Sequence, residues 1–131
     1  MSKTEIHYRV PYADTDKMGV VYYANYLIYF EILRNELLRN AGLPYKELEA
    51  QGIMLPVIEA VCNYKSPVQY DDLIKISGWI DEIKGPRIKI FCEVHKDEKL
   101  AASGYTVHAC TNDKGRPIRP PEVLLRLNAP N

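Results

Sequence analysis

The stretch Asn25-Tyr-Leu-Ile-Tyr-Phe-Glu-Ile-Leu-Arg-Asn-Glu-Leu-Leu-Arg-Asn40-Ala-Gly42-Leu-Pro44 decides the fold. Tyr26, Phe30, Leu33, Leu37 and Ala41 recur at intervals of four, three, four and four residues, the spacing of one helical face. Leu27, Ile28, Ile32 and Leu38 widen that stripe beyond an ordinary surface helix, so this helix needs cover on several sides. Asn25 suits an N-cap, its side chain accepting from a free N–H of the first turn. Gly42 suits a left-handed C′ residue, Leu43 can fold back as the apolar contact, and Pro44 cannot continue the helix. Pro44 then opens a shorter helix over Tyr45 to Gln51, which stops at Gly52.

Outside this stretch the pattern has period two. Ile6, Tyr8 and Val10 alternate with His7 and Arg9 before Pro11 ends the run. From Leu55 onward the alternation returns four times: over Val57 to Tyr64, around Ile74 to Ile80, over Ile88 to His95, and over Leu100 to Thr111. Turn residues separate these runs, namely Pro67 with Asp71-Asp72, Lys84-Gly85-Pro86, and Lys96-Asp-Glu-Lys99. Strands joined by short turns are expected to pair with their sequence neighbours as an antiparallel sheet. The first strand, split off by the helix, must join that sheet elsewhere. One over-apolar helix on one curved sheet predicts an α+β fold, a single domain over residues 1–131. Pro120-Pro121 precedes a short amphipathic tail carrying Val123, Leu124 and Leu127. One helix cannot cover both faces of five strands, so a residual apolar surface predicts at least a two-fold dimer.

Composition narrows the function. The chain has 131 residues, enough for one core. Seventeen basic residues balance seventeen acidic ones, leaving no net field to hold nucleic acid or an anionic membrane. No run approaches the roughly 18 apolar residues of a membrane span, and the N-terminus lacks a signal-peptide core, so a cytoplasmic protein is expected. Cys62, Cys92 and Cys110 are odd in number and widely spaced. They predict buried free thiols in strands, with no disulfide framework or paired zinc ligands. Ten tyrosines against two phenylalanines predict many rings at half-wet positions.

Three features compete for the chemistry. Asp14 and Asp16 lie on a loop with Gly19, just before the helix start near Tyr23. A carboxylate beside free helix N–H groups has the parts for thioester hydrolysis: it attacks the carbonyl carbon or deprotonates a water, while the N–H groups hold the developing oxyanion. The same two aspartates also suit plain turn caps, and spacing alone favours caps. An aspartyl phosphatase needs more helices than this chain has, and a calcium loop needs oxygen ligands where Met18, Val20 and Tyr22 stand. His7, His95 and His108 fall in separate strands, which predicts ordinary sheet histidines and no metal. The turn Lys84-Gly85-Pro86-Arg87, with Lys89 beyond it, reads as a solvated hairpin or a small phosphate site.

The segment Tyr12-Ala-Asp-Thr-Asp16-Lys-Met-Gly19-Val-Val-Tyr-Tyr23-Ala-Asn25-Tyr26, followed by Phe30-Glu31 and Arg34, resembles the signature of the hotdog-fold thioesterases. The branch it is most similar to is that of 4-hydroxybenzoyl-CoA thioesterase and the YbgC acyl-CoA thioesterases. Tyr64 with Pro67, and Tyr70-Asp71-Asp72, extend the resemblance over nearly the whole chain. It implies a five-stranded antiparallel sheet wrapped around one long helix, in a homodimer or homotetramer with sites at the dimer interface. It implies hydrolysis of an acyl-CoA without a cofactor, with Asp16 as the catalytic carboxylate and the Tyr23 backbone N–H polarising the carbonyl. Asp14, Gly19 and Asn25 take supporting roles. It also maps CoA phosphate binding onto Lys84, Gly85 and Arg87, often donated by a neighbouring subunit, although Pro86 stands where a polar donor is usual. The alternative reading is a hotdog module that binds an acyl carrier protein, with weak hydrolysis. A hotdog dehydratase fits poorly, since no histidine lies on the helix.

Overall fold

The computed structural model describes residues 3–128. Five strands, β1 (Thr4–Arg9), β2 (Val57–Tyr64), β3 (Leu73–Lys84), β4 (Arg87–Lys96) and β5 (Lys99–Ala109), form one antiparallel sheet in the order β1-β3-β4-β5-β2. Helix α1 (Asn25–Asn40) lies against β3 and also contacts β1, β2 and β4. The short helices α2 (Tyr45–Ala50) and α3 (Glu122–Leu127) bury Leu48 and Leu124. The expected sheet around a central helix is present.

The core lies between α1 and one sheet face. Tyr26, Tyr29, Phe30, Leu33, Leu37 and Leu38 are buried on the helix. Opposite them sit Ile74, Ile76 and Ile80 of β3, with Ile88, Ile90, Cys92 and Val94 of β4. The register places Ile76 across from Val94 and Ile80 across from Ile90, so the alternation read from sequence falls on one face. Gly78 lets the helix approach closely: a Cβ there would sit 2.8 Å from Leu33 Cδ1. On the other face, Trp79, Phe91, Tyr105 and Val61 align as cross-strand neighbours.

α1 ends as its sequence predicts. Leu43 N–H donates to Leu38 O at 2.9 Å and Gly42 N–H to Arg39 O at 2.9 Å, the two bonds of a Schellman motif. Its start differs from the expectation. Asn25 is the first helical residue, and Ala24 occupies the N-cap position with no side-chain cap. The Asn25 amide instead donates to the carbonyl of Asp14 at 2.8 Å. A tertiary acceptor has taken the side chain that would otherwise have turned back on its own helix.

The pairing of β2 also departs from chain order. β2 does not pair with β3; it crosses to the opposite edge and pairs with β5. The intervening segment 65–72 is too long and too engaged to be a hairpin turn. Val68 O accepts from Val21 N–H at 2.7 Å, and Val20 bridges to Gln69. One boundary and some burial also differ from expectation. The last strand stops at Ala109, so Cys110 lies just beyond it, still buried, while Cys62 is only half-buried. Leu27 and Ile28, expected to widen the covered stripe, are 40% and 52% exposed beside Val57 of the edge strand, where Ile58 is exposed as well.

His108 is fully buried and satisfied: one ring nitrogen meets Leu55 O at 2.9 Å, the other Thr106 Oγ1 at 2.8 Å. Burial pushes its pKa down to about 4, with Arg34 adding to the effect and the Leu55 bond opposing it. It is a structural sheet histidine.

Candidate active site

The site is built on the loop between β1 and α1. After Pro11 the chain makes a single 3-10 turn over Tyr12–Asp14, closed by Asp14 N–H and Thr15 N–H donating to Pro11 O and Tyr12 O. The turn aims Asp14 inward. One of its carboxylate oxygens accepts from the hydroxyls of Tyr8 at 2.9 Å and Tyr29 at 2.8 Å. Burial pushes the Tyr8 phenol up to about 12, and the bond to Asp14 adds to this; the Tyr29 phenol rises for the same reasons. Both phenols therefore stay protonated and donate. The Asp14 carbonyl accepts from Tyr22 N–H at 2.9 Å as well as from Asn25. Asp14 thus ties β1, the loop and α1 together, with one carboxylate oxygen engaged by both phenols.

Asp16 is placed differently. Its backbone N–H donates to Val20 O at 2.9 Å, and its carbonyl accepts from Gly19 N–H at 3.0 Å. Thr15 and Val21 bridge below, making a short hairpin whose tip is Lys17-Met18-Gly19. Gly19 has φ +80°, a left-handed conformation that closes this tip. One Asp16 carboxylate oxygen accepts from Met18 N–H at 2.8 Å. The side chain is partly exposed at an open cleft of about 710 Å³, walled also by Tyr12 and Tyr70, whose rings meet edge-on at 5.1 Å.

The helix start lies beyond the hairpin. Tyr22 O accepts from Asn25 N–H at 2.9 Å. The Tyr23 N–H belongs to the same peptide and points away from the helix. Among the described residues it has no acceptor. Tyr23 borders a second, apolar groove of about 310 Å³, lined by Val20, Val21, Tyr26, Tyr64 and Pro67, with Lys65 and Ser66 beside it. An N–H held open at a helix N-terminus suits a carbonyl oxygen that gains negative charge.

The structure therefore brings Asp14, Asp16, Gly19, Tyr23 and Asn25 onto one loop and helix start. Lys84, Gly85 and Arg87 lie elsewhere. They form the β3–β4 turn, at the far end of β3 from the loop, roughly 35 Å along the strand. Gly85 has φ +59° and is followed by Pro86, the pattern of a type II′ hairpin turn. Lys84 is exposed, 3.9 Å from Glu82, and Arg87 borders a hollow of about 190 Å³ with Glu59, Glu82 and Lys89. Among the described residues, no group of three or more His, Cys, Asp or Glu side chains gathers as a metal site.

Sequence patterning gives no sign that Tyr8 and Tyr29 hold Asp14, or that Tyr70 walls the Asp16 cleft. The available signal is the excess of tyrosine over phenylalanine, because each of these rings uses a hydroxyl or a wet edge.

Known proteins are similar to this chain in sequence and in fold. A family model described as the thioesterase-like superfamily matches residues 10–127. The acyl-CoA thioesterase YbgC of Haemophilus influenzae is 31% identical over 118 residues, covering 88% of this chain and 87% of that protein. The crystal structure of the DHNA-CoA thioesterase of Staphylococcus aureus superposes with a TM-score of 0.86 at 32% identity, covering 91% of this chain and 81% of that one. A crystal structure of a hypothetical protein from Aquifex aeolicus reaches a TM-score of 0.91 at 28% identity, covering 96% and 99%. The chain belongs to the thioesterase-like superfamily. Its fold is the hotdog, and it is a thioester hydrolase. Among the described residues no helix is long and apolar enough to cross a membrane.

Proposed function

We propose that the protein hydrolyses acyl-CoA thioesters to a carboxylic acid and CoA thiol, with Asp16 as the reacting carboxylate and the Tyr23 N–H as the oxyanion donor. The observation that carries this reading is the contrast between neighbouring carboxylates: one Asp14 oxygen accepts from two phenols away from the cleft lining, while Asp16 borders the cleft. The names of relatives, an acyl-CoA thioesterase and a DHNA-CoA thioesterase, support CoA as the carrier.

Asp16 either attacks the thioester carbon or takes a proton from a water that attacks it. In both routes the carbonyl oxygen becomes negative as the new C–O bond forms, and the Tyr23 N–H stabilises it. The C–S bond then breaks, its electron pair leaves on sulfur, and the thiolate gains a proton. In the attack route, water next cleaves the Asp16 anhydride. The acyl group fits the apolar groove beside Tyr23. Two copies joined through the free edge of β2 would cover Leu27, Ile28, Val57 and Ile58. Lys84 and Arg87 would then serve the CoA phosphates of a neighbouring copy.

The test is thiol release from acetyl-, octanoyl- and benzoyl-CoA by the wild type and Asp16→Asn. Asparagine still accepts the Met18 N–H bond, so the fold is kept. The expected loss in kcat is about 10²–10⁴-fold with an unchanged melting temperature. Equal rates for the two proteins would remove Asp16 from the chemistry.

A further inference from the structure

On the reading that the Tyr23 N–H holds the thioester oxygen, we propose that Tyr64 is a positioning residue whose hydroxyl, reaching in from β2, fixes the Tyr23 backbone for that task. The Tyr64 hydroxyl donates to Tyr23 O at 2.9 Å, across 41 residues of sequence. Two peptide planes meet at Tyr23. The one before it carries the N–H and is held locally, by Asn25 N–H on Tyr22 O. The one after it carries the Tyr23 carbonyl, whose helical bond from Tyr26 N–H is long at 3.3 Å. First-turn residues of a helix fray, because their N–H groups lack intrahelical partners. Tyr64 is the tie that brings this plane under the control of the sheet.

The ring of Tyr64 is itself held. It meets Tyr26 edge-on at 5.1 Å and Tyr23 at 6.5 Å, and its backbone pairs with Ala102. The three rings line the same groove. The hydroxyl therefore acts on the donor from within the wall of the substrate groove, although it touches no reacting atom. An oxyanion donor works only within a few tenths of an ångström of its place. Loosening one neutral hydrogen bond of this kind lowers the rate by about three- to tenfold.

Steady-state kinetics of Tyr64→Phe and Asp16→Asn, run in parallel on the panel above, test this. Phenylalanine keeps the ring and the groove and removes only the hydroxyl. The expected result is a fall in kcat of about three- to tenfold, with KM held within about twofold and little change in melting temperature. An unchanged kcat for Tyr64→Phe beside an inactive Asp16→Asn overturns the Tyr64 proposal and leaves the catalytic reading standing. A loss of rate matched by a rise in KM or a drop in melting temperature makes Tyr64 a merely structural tether, and also overturns it. Full activity in Asp16→Asn removes the catalytic reading and the Tyr64 proposal with it.

Discussion

The Asp16–Gly19 turn and the Lys84–Arg87 turn each reverse the chain through a glycine at positive φ, yet they are made by different forces. The first has its own short hairpin bonds and is also anchored from outside. Val20 and Val21 are tied to the 65–72 segment, and Asp14 below it is tied to β1 and α1. The second is held by its own ladder, Lys84 opposite Arg87 and Ile83 opposite Ile88, with one added bond from Cys110 N–H to Pro86 O at 2.7 Å. A turn anchored by tertiary bonds can carry a carboxylate at a fixed angle. A turn set by its own hairpin presents long side chains to solvent, which suits a flexible contact with a charged group.

Acid should act first at the end of the sheet near the second turn. His108 sits opposite Ile88, one pair from Arg87. Its folded pKa of about 4 lies below the unfolded value of 6.5. The unfolded chain therefore binds a proton first as pH falls, so stability is complete above 6.5 and drains away between 6.5 and 4. The loss amounts to roughly 3 kcal/mol. Chemical denaturation across this range measures it, and a His108→Leu/Thr106→Val double variant should show a flatter profile. An equal slope in both proteins would place the acid sensitivity elsewhere.

Asp14→Ala probes the first turn. It leaves the Tyr8 and Tyr29 hydroxyls without their acceptor and should cost about 2 kcal/mol, a fall of roughly 5–10 °C in melting temperature. Adding Tyr8→Phe and Tyr29→Phe should restore much of that loss, since removing both sides of a buried hydrogen bond costs less than removing one. No recovery would mean that the phenols stabilise the loop through their rings alone.

The smallest expected effect belongs to the second turn. Lys84→Gln/Arg87→Gln should leave melting temperature and kcat unchanged while raising KM for acyl-CoA by about three- to tenfold, and the rise should shrink at high salt. If KM did not move, the turn would be only a hairpin.

The helix and the sheet face it packs on were legible because burial imposes a period, and the period survives in the residues: Phe30, Leu33 and Leu37 on one side, Ile74, Ile76 and Ile80 on the other. Strand order was not legible. Nothing in the composition of 65–72 says that Val68 O answers Val21 N–H, that Val20 bridges to Gln69, or that β2 lies at the far edge. Asp14 and Asp16 were visible as a pair, but their division of labour depends on Tyr8 and Tyr29, one before and one after them, meeting at a single oxygen. Asn25 misled for a related reason: its local propensity is for capping, and a carbonyl eleven residues away outbid the helix.

The hairpin tip at Asp16 has a consequence for how such a protein changes over generations. Lys17 and Met18 are exposed, Met18 at 81%, and the tip is closed by backbone groups and the Asp16 carboxylate rather than by their side chains. A lineage can therefore rewrite these two side chains, one of which borders the cleft, without redrawing the loop that carries the carboxylate. Novelty in what the cleft admits can accumulate there at almost no cost to the architecture.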